Sequence, residues 1–201
     1  MISATDGGGE TIVNMYQYIE NMKESDALEK KVEVIIDEDG KRIVKIDSIR
    51  FTGKRNVDWE AVRLYLNEFV GEMYTIVSSG DIVYLGKDLP DEYTGSKDTY
   101  SLRGTLAKAK ANAAQGLGTM IEIATDGEHT LNLKEKHRID AANGWYKYTT
   151  RFALPVYGED GSVERYNVFR GFVIIRHDQD GKRYLYDVIK IKKETSNPPG
   201  C

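Results

Sequence analysis

The fold prediction rests on three consecutive runs of sequence, WYKYTTRFALPV (145–156), ERYNVFRGFVIIRH (164–177) and KRYLYDVIKIK (182–192). In each run apolar and polar side chains alternate over much of the length, which is the two-residue period of a β-strand. The linkers 159–161 and 178–181 are short and rich in Asp and Gly, which are typical turn residues. The three runs therefore predict an antiparallel three-stranded meander.

The sequence upstream of these runs contains two shorter pairs of apolar segments. The segments 32–36 and 43–46 flank Asp37-Glu38-Asp39-Gly40, a strong turn signal, and predict a β-hairpin. The segments 74–77 and 82–85 flank a Ser-Ser-Gly-Asp stretch, which predicts a second hairpin or a turn.

Helical spacing of apolar residues appears in several places before residue 145. It predicts a short helix within residues 10–22, a helix over 58–70 and a helix over about 99–115 that is rich in small residues. Residues 131–142 also look helical, whereas 119–124 fit a helix or a strand equally well.

Helices followed by a sheet are typical of α+β proteins. We therefore expect a helical N-terminal half packed on an antiparallel β-sheet with a C-terminal three-stranded meander. Residues 1–30 are expected to be an N-terminal tail and helix, 31–195 a single α+β domain, and 196–201 a flexible tail. Gly-rich and Pro-rich ends also fit a piece of a longer polypeptide.

The composition excludes several classes of protein. Cys201 is the single cysteine, so neither a disulfide framework nor a cysteine metal cluster is expected, and a reducing, cytoplasmic compartment is favoured. No run approaches the roughly 18 apolar residues of a membrane helix, so no membrane partner is expected. The first ten residues lack the basic and apolar regions of a signal peptide.

Charge is distributed unevenly along the chain. Residues 1–92 contain 11 Lys and Arg against 19 Asp and Glu, whereas the remainder contains 17 against 13. Such asymmetry indicates either a nucleic-acid face in the second half or an ordinary solvated surface.

The turn Gly95-Ser96-Lys97 precedes the helix predicted over 99–115 and is a candidate anion site. Backbone N–H groups at a helix N-terminus, together with the Ser96 hydroxyl and the Lys97 ammonium, suit a phosphate. The spacing is not that of a P-loop. The alternative is an ordinary helix start capped by Ser96.

Lys108 and Lys110 lie two residues apart in the same predicted helix. Residues with this spacing project from different faces, so only one of the two can easily point into a cleft shared with Lys97. The other lysine is expected to be solvated.

His137 is the candidate for proton transfer because it stands among Lys134, Lys136 and Arg138. Nearby cations disfavour the imidazolium, and a neutral imidazole is a general base near pH 7. The same cations could hold a phosphate. The alternative is a surface helix with a chance histidine. The three histidines lack zinc spacing, so no metal is expected.

The run that begins at Trp145 combines aromatic residues with cations. Tyr146 and Tyr148 share one face of the predicted strand, and Lys147, Thr149 and Arg151 share the other. Bases stack on aromatic rings and cations hold phosphates, so the pattern fits nucleic-acid binding. The commoner alternative is a strand with one packed face and one wet face.

Several of these segments together resemble a known domain. The similarity covers roughly residues 43–194, and the segments that carry it are GDIVY (80–84), DLPDEY (88–93), GSKDT (95–99), GTLAKAKANAAQG (104–116), EKH (135–137), GWYKY (144–148), RFA (151–153) and YLYDV (184–188). They resemble the polyvalent-protein-associated domains found near the ends of very large proteins of bacteriophages and conjugative elements. Those domains are grouped near the phage barnase–EndoU–colicin–RelE-like nucleases.

The resemblance implies a metal-independent, RNA-cleaving effector domain of a mobile-element protein, acting in the cytoplasm of a bacterial or phage-infected cell without a cofactor. It implies His137 as the general base or acid, and Tyr186 or Tyr148 as a second proton donor. Phosphate clamps would come from Lys97, Lys108 and Arg151. RNA and an immunity or antitoxin protein would be the partners.

A second histidine of the two-histidine ribonucleases has no obvious counterpart in this sequence. The alternative function is therefore a non-catalytic module of a large phage or conjugative-element protein that binds nucleic acid or protein. In either case the side chains expected to contact a substrate are Ser96, Lys108, Lys110, Lys136, Arg138 and Tyr148.

Overall fold

The computed structural model describes residues 32–53 and 56–194. The expected N-terminal segment 1–30, with its helix over 10–22, and the expected tail 196–201 lie outside the described residues.

One curled sheet of eight strands dominates the described chain. The strands are β1 (Val32–Ile36), β2 (Arg42–Ile46), β3 (Met73–Thr75), β4 (Ile82–Tyr84), β5 (Thr125–Thr130), β6 (Trp145–Tyr157), β7 (Val163–His177) and β8 (Arg183–Lys193). Their order across the sheet is β1-β2-β6-β7-β8-β4-β3, and β5 also pairs with β6. The three runs at the C-terminus form its centre, where β6, β7 and β8 pair antiparallel.

The expectation of a helical N-terminal half on an antiparallel sheet is wrong. Strand accounts for 38% of the described residues and helix for 27%, and the first half of the chain supplies β1 to β4. The sheet is mixed, because β2 pairs parallel to β6 and β4 pairs parallel to β8. Alternation in the sequence identified the hairpins, but it carries no information about which free edge of a distant sheet each hairpin joins.

The helices are short, and along the chain they come between these strands. They are α1 (Trp59–Asn67), α2 (Leu89–Gly95), α3 (Lys97–Ser101), α4 (Gly104–Ala113) and α5 (Leu117–Glu122), with a 3₁₀ turn at Ala114–Gly116. The Asp58 carboxylate caps α1 by accepting from the Ala61 N–H at 3.1 Å. The helix expected over 99–115 is divided, because Leu102 and Arg103 are extended and Gly104 has a φ of 53°.

The main core lies between the helices and the sheet. Its centre includes the stacked rings of Phe152 on β6 and Phe169 on β7, 5.3 Å apart. α4 packs on β8 and β6, with Ala109, Ala111 and Ala113 buried. Small side chains on this helix allow its backbone to lie close to the sheet.

The segment 131–142 is not the helix that its sequence suggested. It is a loop with one 3₁₀ turn, Glu135–His137. The Asn132 amide donates to the carbonyls of Lys134 and His137, at 3.1 and 2.7 Å, and fixes the shape of this loop. Its apolar side chains Leu131 and Leu133 are exposed, so no buried apolar stripe stabilises a longer helix.

No helix among the described residues is long and apolar enough to cross a membrane.

Candidate functional site

A cavity of about 450 Å³ opens where the loop before β6 meets the start of β6 and the middle of β8. Its lining consists of Leu131, Asn132, Leu133, Lys134, His137, Trp145 and Tyr186. His137 and Tyr186, both expected from the sequence to take part in catalysis, are therefore brought together.

A β-bulge positions Tyr186 at this cavity. Leu185 pairs with Ile175 and Asp187 pairs with Ile174, although Ile174 and Ile175 are consecutive. Tyr186 is thus an extra residue in β8, and a bulge of this kind redirects side chains from the regular alternation.

Three aromatic rings contact one another edge to face. The His137 ring centroid lies 5.1 Å from that of Trp145 and 5.7 Å from that of Tyr186, and the Trp145 and Tyr186 centroids are 5.1 Å apart. These contacts leave 15% of the His137 side chain exposed. The imidazole is therefore held in one orientation but can still be reached from solvent.

The Asp140 carboxylate fixes the tautomer of His137. Nδ1 of His137 lies 2.9 Å from Oδ2 of Asp140 and donates to it when that carboxylate is ionised. A neutral His137 then has an unprotonated Nε2. This is the arrangement of a general base oriented by a carboxylate.

Asp140 is in turn held by Arg176 of β7, a side chain that is only 6% exposed. The Arg176 guanidinium lies 3.3 Å from Asp140, 2.7 Å from Glu92 and 3.1 Å from Asp88. One cation therefore faces three carboxylates, which gives this cluster an excess of negative charge.

The pKa of Glu92 in α2 is altered by this environment. Burial raises the pKa of Glu92 to about 7, against the opposing effect of Arg176, and the nearby carboxylates of Asp88 and Asp140 raise it further. Among the described residues, Oε2 of Glu92 and Nε of Arg176 are buried without a hydrogen-bond partner. The cluster is thus a place where a proton can be stored near neutral pH.

Burial also raises the pKa of the Tyr186 phenol, and the carboxylates of Glu92 and Asp187 act in the same direction. Tyr186 is therefore protonated at neutral pH. It is available as a proton donor beside His137.

Two expected substrate contacts, Lys136 and Arg138, flank His137 and are exposed. Arg138 lies 3.1 Å from Glu135, and both of those side chains are largely solvated. Lys134 lines the cavity, whereas Lys136 and Arg138 do not.

Ser96 and Lys97 lie at the junction of α2 and α3, and neither lines the His137 cavity. The Ser96 hydroxyl caps α3 by accepting from the Thr99 N–H at 3.1 Å. Lys97 is the exposed first residue of α3. Ser96 is therefore an ordinary helix cap, which was the alternative interpretation of the Gly95-Ser96-Lys97 turn.

Arg151 is also remote from His137. It lies six residues beyond Trp145 on β6, about 20 Å along an extended strand. Its guanidinium pairs with Asp37 and Glu194 and lines a different cavity, of about 860 Å³. Arg151 therefore does not share a proton-transfer site with His137.

Lys110 is completely buried, with Nζ 2.7 Å from Oδ1 of Asp187 and 4.9 Å from the centroid of the Tyr93 ring. Lys108 is exposed on the surface of the same helix. The two lysines thus face differently, and Lys110 is not accessible to a phosphate from solvent.

Tyr148 is 3% exposed and its hydroxyl donates to Asp81 at 2.9 Å. Its ring lies against Gly127, where even a Cβ atom would be only 2.5 Å away. The ring is therefore packed between elements and is not a surface on which a base can stack.

Asp140, Glu92, Arg176 and Trp145 were not identified as site residues from the sequence. The spacing of His137 and Asp140, three residues apart, was an available signal because such residues share one side of a helical turn. Glu92 and Arg176 are 84 residues apart, and no local pattern joins them.

Among the described residues, no three His, Cys, Asp or Glu side chains are grouped so that they could hold a metal ion. No protein-family model matches the chain, and no curated protein matches it at a significant level.

Proposed function

We propose that this chain is a metal-independent RNA-cleaving domain in which His137 transfers the proton. The observation that carries the proposal is the 2.9 Å contact between Nδ1 of His137 and Asp140, at a cavity that Trp145 and Tyr186 also line. An oriented imidazole beside aromatic rings combines a proton acceptor with a surface that a nucleobase can contact.

The chemistry is an internal transfer of the phosphodiester. Nε2 of His137 takes the proton of the ribose 2′-hydroxyl, and the 2′-oxygen forms a bond to phosphorus. The bond from phosphorus to the 5′-oxygen breaks as that oxygen receives the proton of the Tyr186 phenol. The products are a 2′,3′-cyclic phosphate and a free 5′-hydroxyl, and the cations of Lys134 and Lys136 offset the charge on the phosphorane.

The protein would be tested by incubating total RNA with it in excess chelator. The parent should degrade the RNA, and His137→Ala should reduce the rate by about 10²- to 10⁴-fold. His129→Ala is the matched control, because His129 lies in β5 and contacts Tyr146 and the Asn143 carbonyl, outside the cavity. Equal degradation by the parent and His137→Ala, or none by either, would refute catalysis at His137.

A non-catalytic module that binds another protein, such as an immunity protein, is the second candidate. It is favoured by the apolar side chains of Leu131 and Leu133, which are 72% and 90% exposed beside the cavity. An exposed apolar patch with polar residues around it often marks a contact with another protein. If this function is the correct one, Leu133→Ser should abolish partner binding, and the parent protein as well as His137→Ala should leave RNA intact.

A further inference from the structure

The face of the sheet that carries the His137 cavity continues along β6. Side chains alternate between the faces of a strand, so Trp145, Lys147, Thr149 and Arg151 lie on one face. Trp145 lines the cavity at one end, and Arg151 lies about 20 Å away at the other. All four side chains are half-buried, so this face is open to solvent.

The strand register places three cations in a row across this face. Arg151 of β6 is directly opposite Arg170 of β7, which is directly opposite Lys192 of β8. Like charges that face each other on neighbouring strands destabilise a sheet. We call Arg151, Arg170 and Lys192 the cationic row.

The positive charges of the three members of the cationic row are not neutralised to the same extent. Arg151 is neutralised by Asp37 and Glu194. Arg170 and Lys192 are both exposed, and within 32–53 and 56–194 neither has a carboxylate at ion-pair distance. The row therefore has two positive charges to offer an anion.

Between the cavity and the row, Lys147 lies over the Phe172 ring at 4.9 Å and pairs with Glu128 at 2.6 Å. The larger cavity beside Arg151 is lined by Arg170, Lys41 and Arg42 as well as by Asp39, Asp126 and Glu194. The charge of that cavity is therefore mixed. Within the cationic row, Arg170 and Lys192 are the two members that have free positive charge.

We propose that Arg170 and Lys192 bind phosphates of the same single-stranded RNA whose scissile bond lies at His137. This inference rests on the proposed function and extends it to the substrate, which must be long enough to reach from the cavity to the row. A stacked strand advances about 3.4 Å per nucleotide, so about 20 Å corresponds to at most about six nucleotides.

Charge complementarity selects RNA as the occupant. Each phosphate has one negative charge, and a flexible single strand can follow an open sheet face. A partner protein would be expected to cover apolar side chains, and the two most exposed large ones among the described residues, Leu131 and Leu133, lie at the His137 cavity and not at the row.

Binding is measured by fluorescence anisotropy with labelled RNA of 12 and of three nucleotides. All variants carry His137→Ala, so that the RNA is not cleaved during the measurement. The double charge reversal Arg170→Glu and Lys192→Glu should weaken binding of the 12-nucleotide RNA at least tenfold. It should also reduce the slope of log affinity against log salt by about 1.4, because two phosphate contacts are lost. Binding of the trinucleotide should not change.

Arg165→Glu is the matched control, because Arg165 is an exposed arginine of β7 that lies an odd number of residues from Arg170 and so on the opposite face. Thermal unfolding of each variant verifies that it is folded. Three results would overturn the proposal. They are an unchanged affinity of the double variant for the 12-nucleotide RNA, a loss of affinity in Arg165→Glu as large as in the double variant, and no RNA binding by the His137→Ala protein. If the parent cleaves RNA but the double variant binds it as tightly as before, phosphate binding by the cationic row is refuted and catalysis at His137 is not. If RNA binding depends on the cationic row but the parent does not cleave RNA, only the catalytic proposal is refuted.

Discussion

His137 was a candidate from the sequence, whereas two of the side chains that surround it, Asp140 and Trp145, were not. The prediction rested on the cations next to His137 in the sequence, but the side chains of adjacent residues do not face one another. The side chains that hold its ring are Asp140, Trp145 and Tyr186, of which only Asp140 belongs to the same loop. The chemistry of the site therefore depends on contacts that only the fold creates.

Asp140 should matter through the orientation of His137. In Asp140→Asn the carboxylate that selects the tautomer is lost, so we expect RNA cleavage to slow on the order of tenfold or more while RNA binding is retained. The measurement is a single-turnover cleavage rate beside an anisotropy titration. A loss of binding that accounts for the whole loss of rate would contradict the orienting role.

Glu92 should make stability depend on pH. Its folded pKa, about 7, exceeds its ordinary value of 4.5, so the folded state holds this proton more tightly than the unfolded chain does. The resulting stabilisation is complete below about pH 4.5 and is lost as the pH rises through about 7. Glu92→Gln should remove a pH-dependent change in unfolding free energy on the order of 2–3 kcal/mol.

Urea unfolding at several pH values between 4.5 and 8 tests this expectation. Asp187 has a raised pKa, about 6, because of burial, so some slope of the same sign should remain in Glu92→Gln. Asp91→Asn is the control, because Asp91 lies on the same helix and is 75% exposed. Identical pH profiles for Glu92→Gln and the parent would show that Glu92 does not store the proton.

At the scale of elements, a buried ion pair joins α4 to β8. Lys110 and Asp187 are both completely buried and 2.7 Å apart. Removing one charge leaves the other buried and unpaired, so Lys110→Met should lower the free energy of unfolding by about 3–5 kcal/mol. The double variant with Asp187→Leu should lose less.

Equilibrium unfolding of the two single variants and the double variant measures this coupling. Lys108→Met is the control, since Lys108 is exposed on the same helix and should change stability by less than about 0.5 kcal/mol. If Lys110→Met and Lys108→Met cost the same, the pair does not stabilise the junction of α4 and β8.

The contact between β5 and β6 requires a glycine. The Tyr148 ring occupies the space that a Cβ at Gly127 would need, with its nearest atom 2.5 Å away. Gly127→Ala should therefore force the ring or β5 to move and destabilise the protein by about 1–3 kcal/mol. Gly95→Ala, at a position with open space, should be close to neutral, and thermal unfolding of both variants compares them.

The elements also show which features the sequence could and could not predict. Alternation predicts strands such as β6 and β8 because each strand has faces with different exposure. It does not predict the bulge that turns Tyr186 towards His137, since one extra residue leaves little trace in a pattern. The helix over 99–115 was expected to be continuous, and Gly104 was the signal for its division.

For the whole molecule, the difference in charge between the two halves of the chain does not by itself describe a surface. Lys110, Arg151 and Arg176 belong to the basic second half, yet all three are engaged by carboxylates in the core or beside it. Arg170 and Lys192 remain exposed on the face that the His137 cavity shares. The charge difference therefore predicts only a candidate region in the second half, whereas the fold determines which cations are exposed there.

The most direct measurement of RNA cleavage at His137 uses a synthetic 12-nucleotide DNA that contains a single ribonucleotide, incubated with the parent in excess chelator and analysed by mass spectrometry. We expect a single cut after the ribonucleotide, leaving a 2′,3′-cyclic phosphate and a 5′-hydroxyl, no cut in the all-deoxy strand, and no cut by His137→Ala. Cleavage of the all-deoxy strand, equal cleavage by His137→Ala, or an intact ribonucleotide strand under conditions where the parent binds it would contradict catalysis by His137.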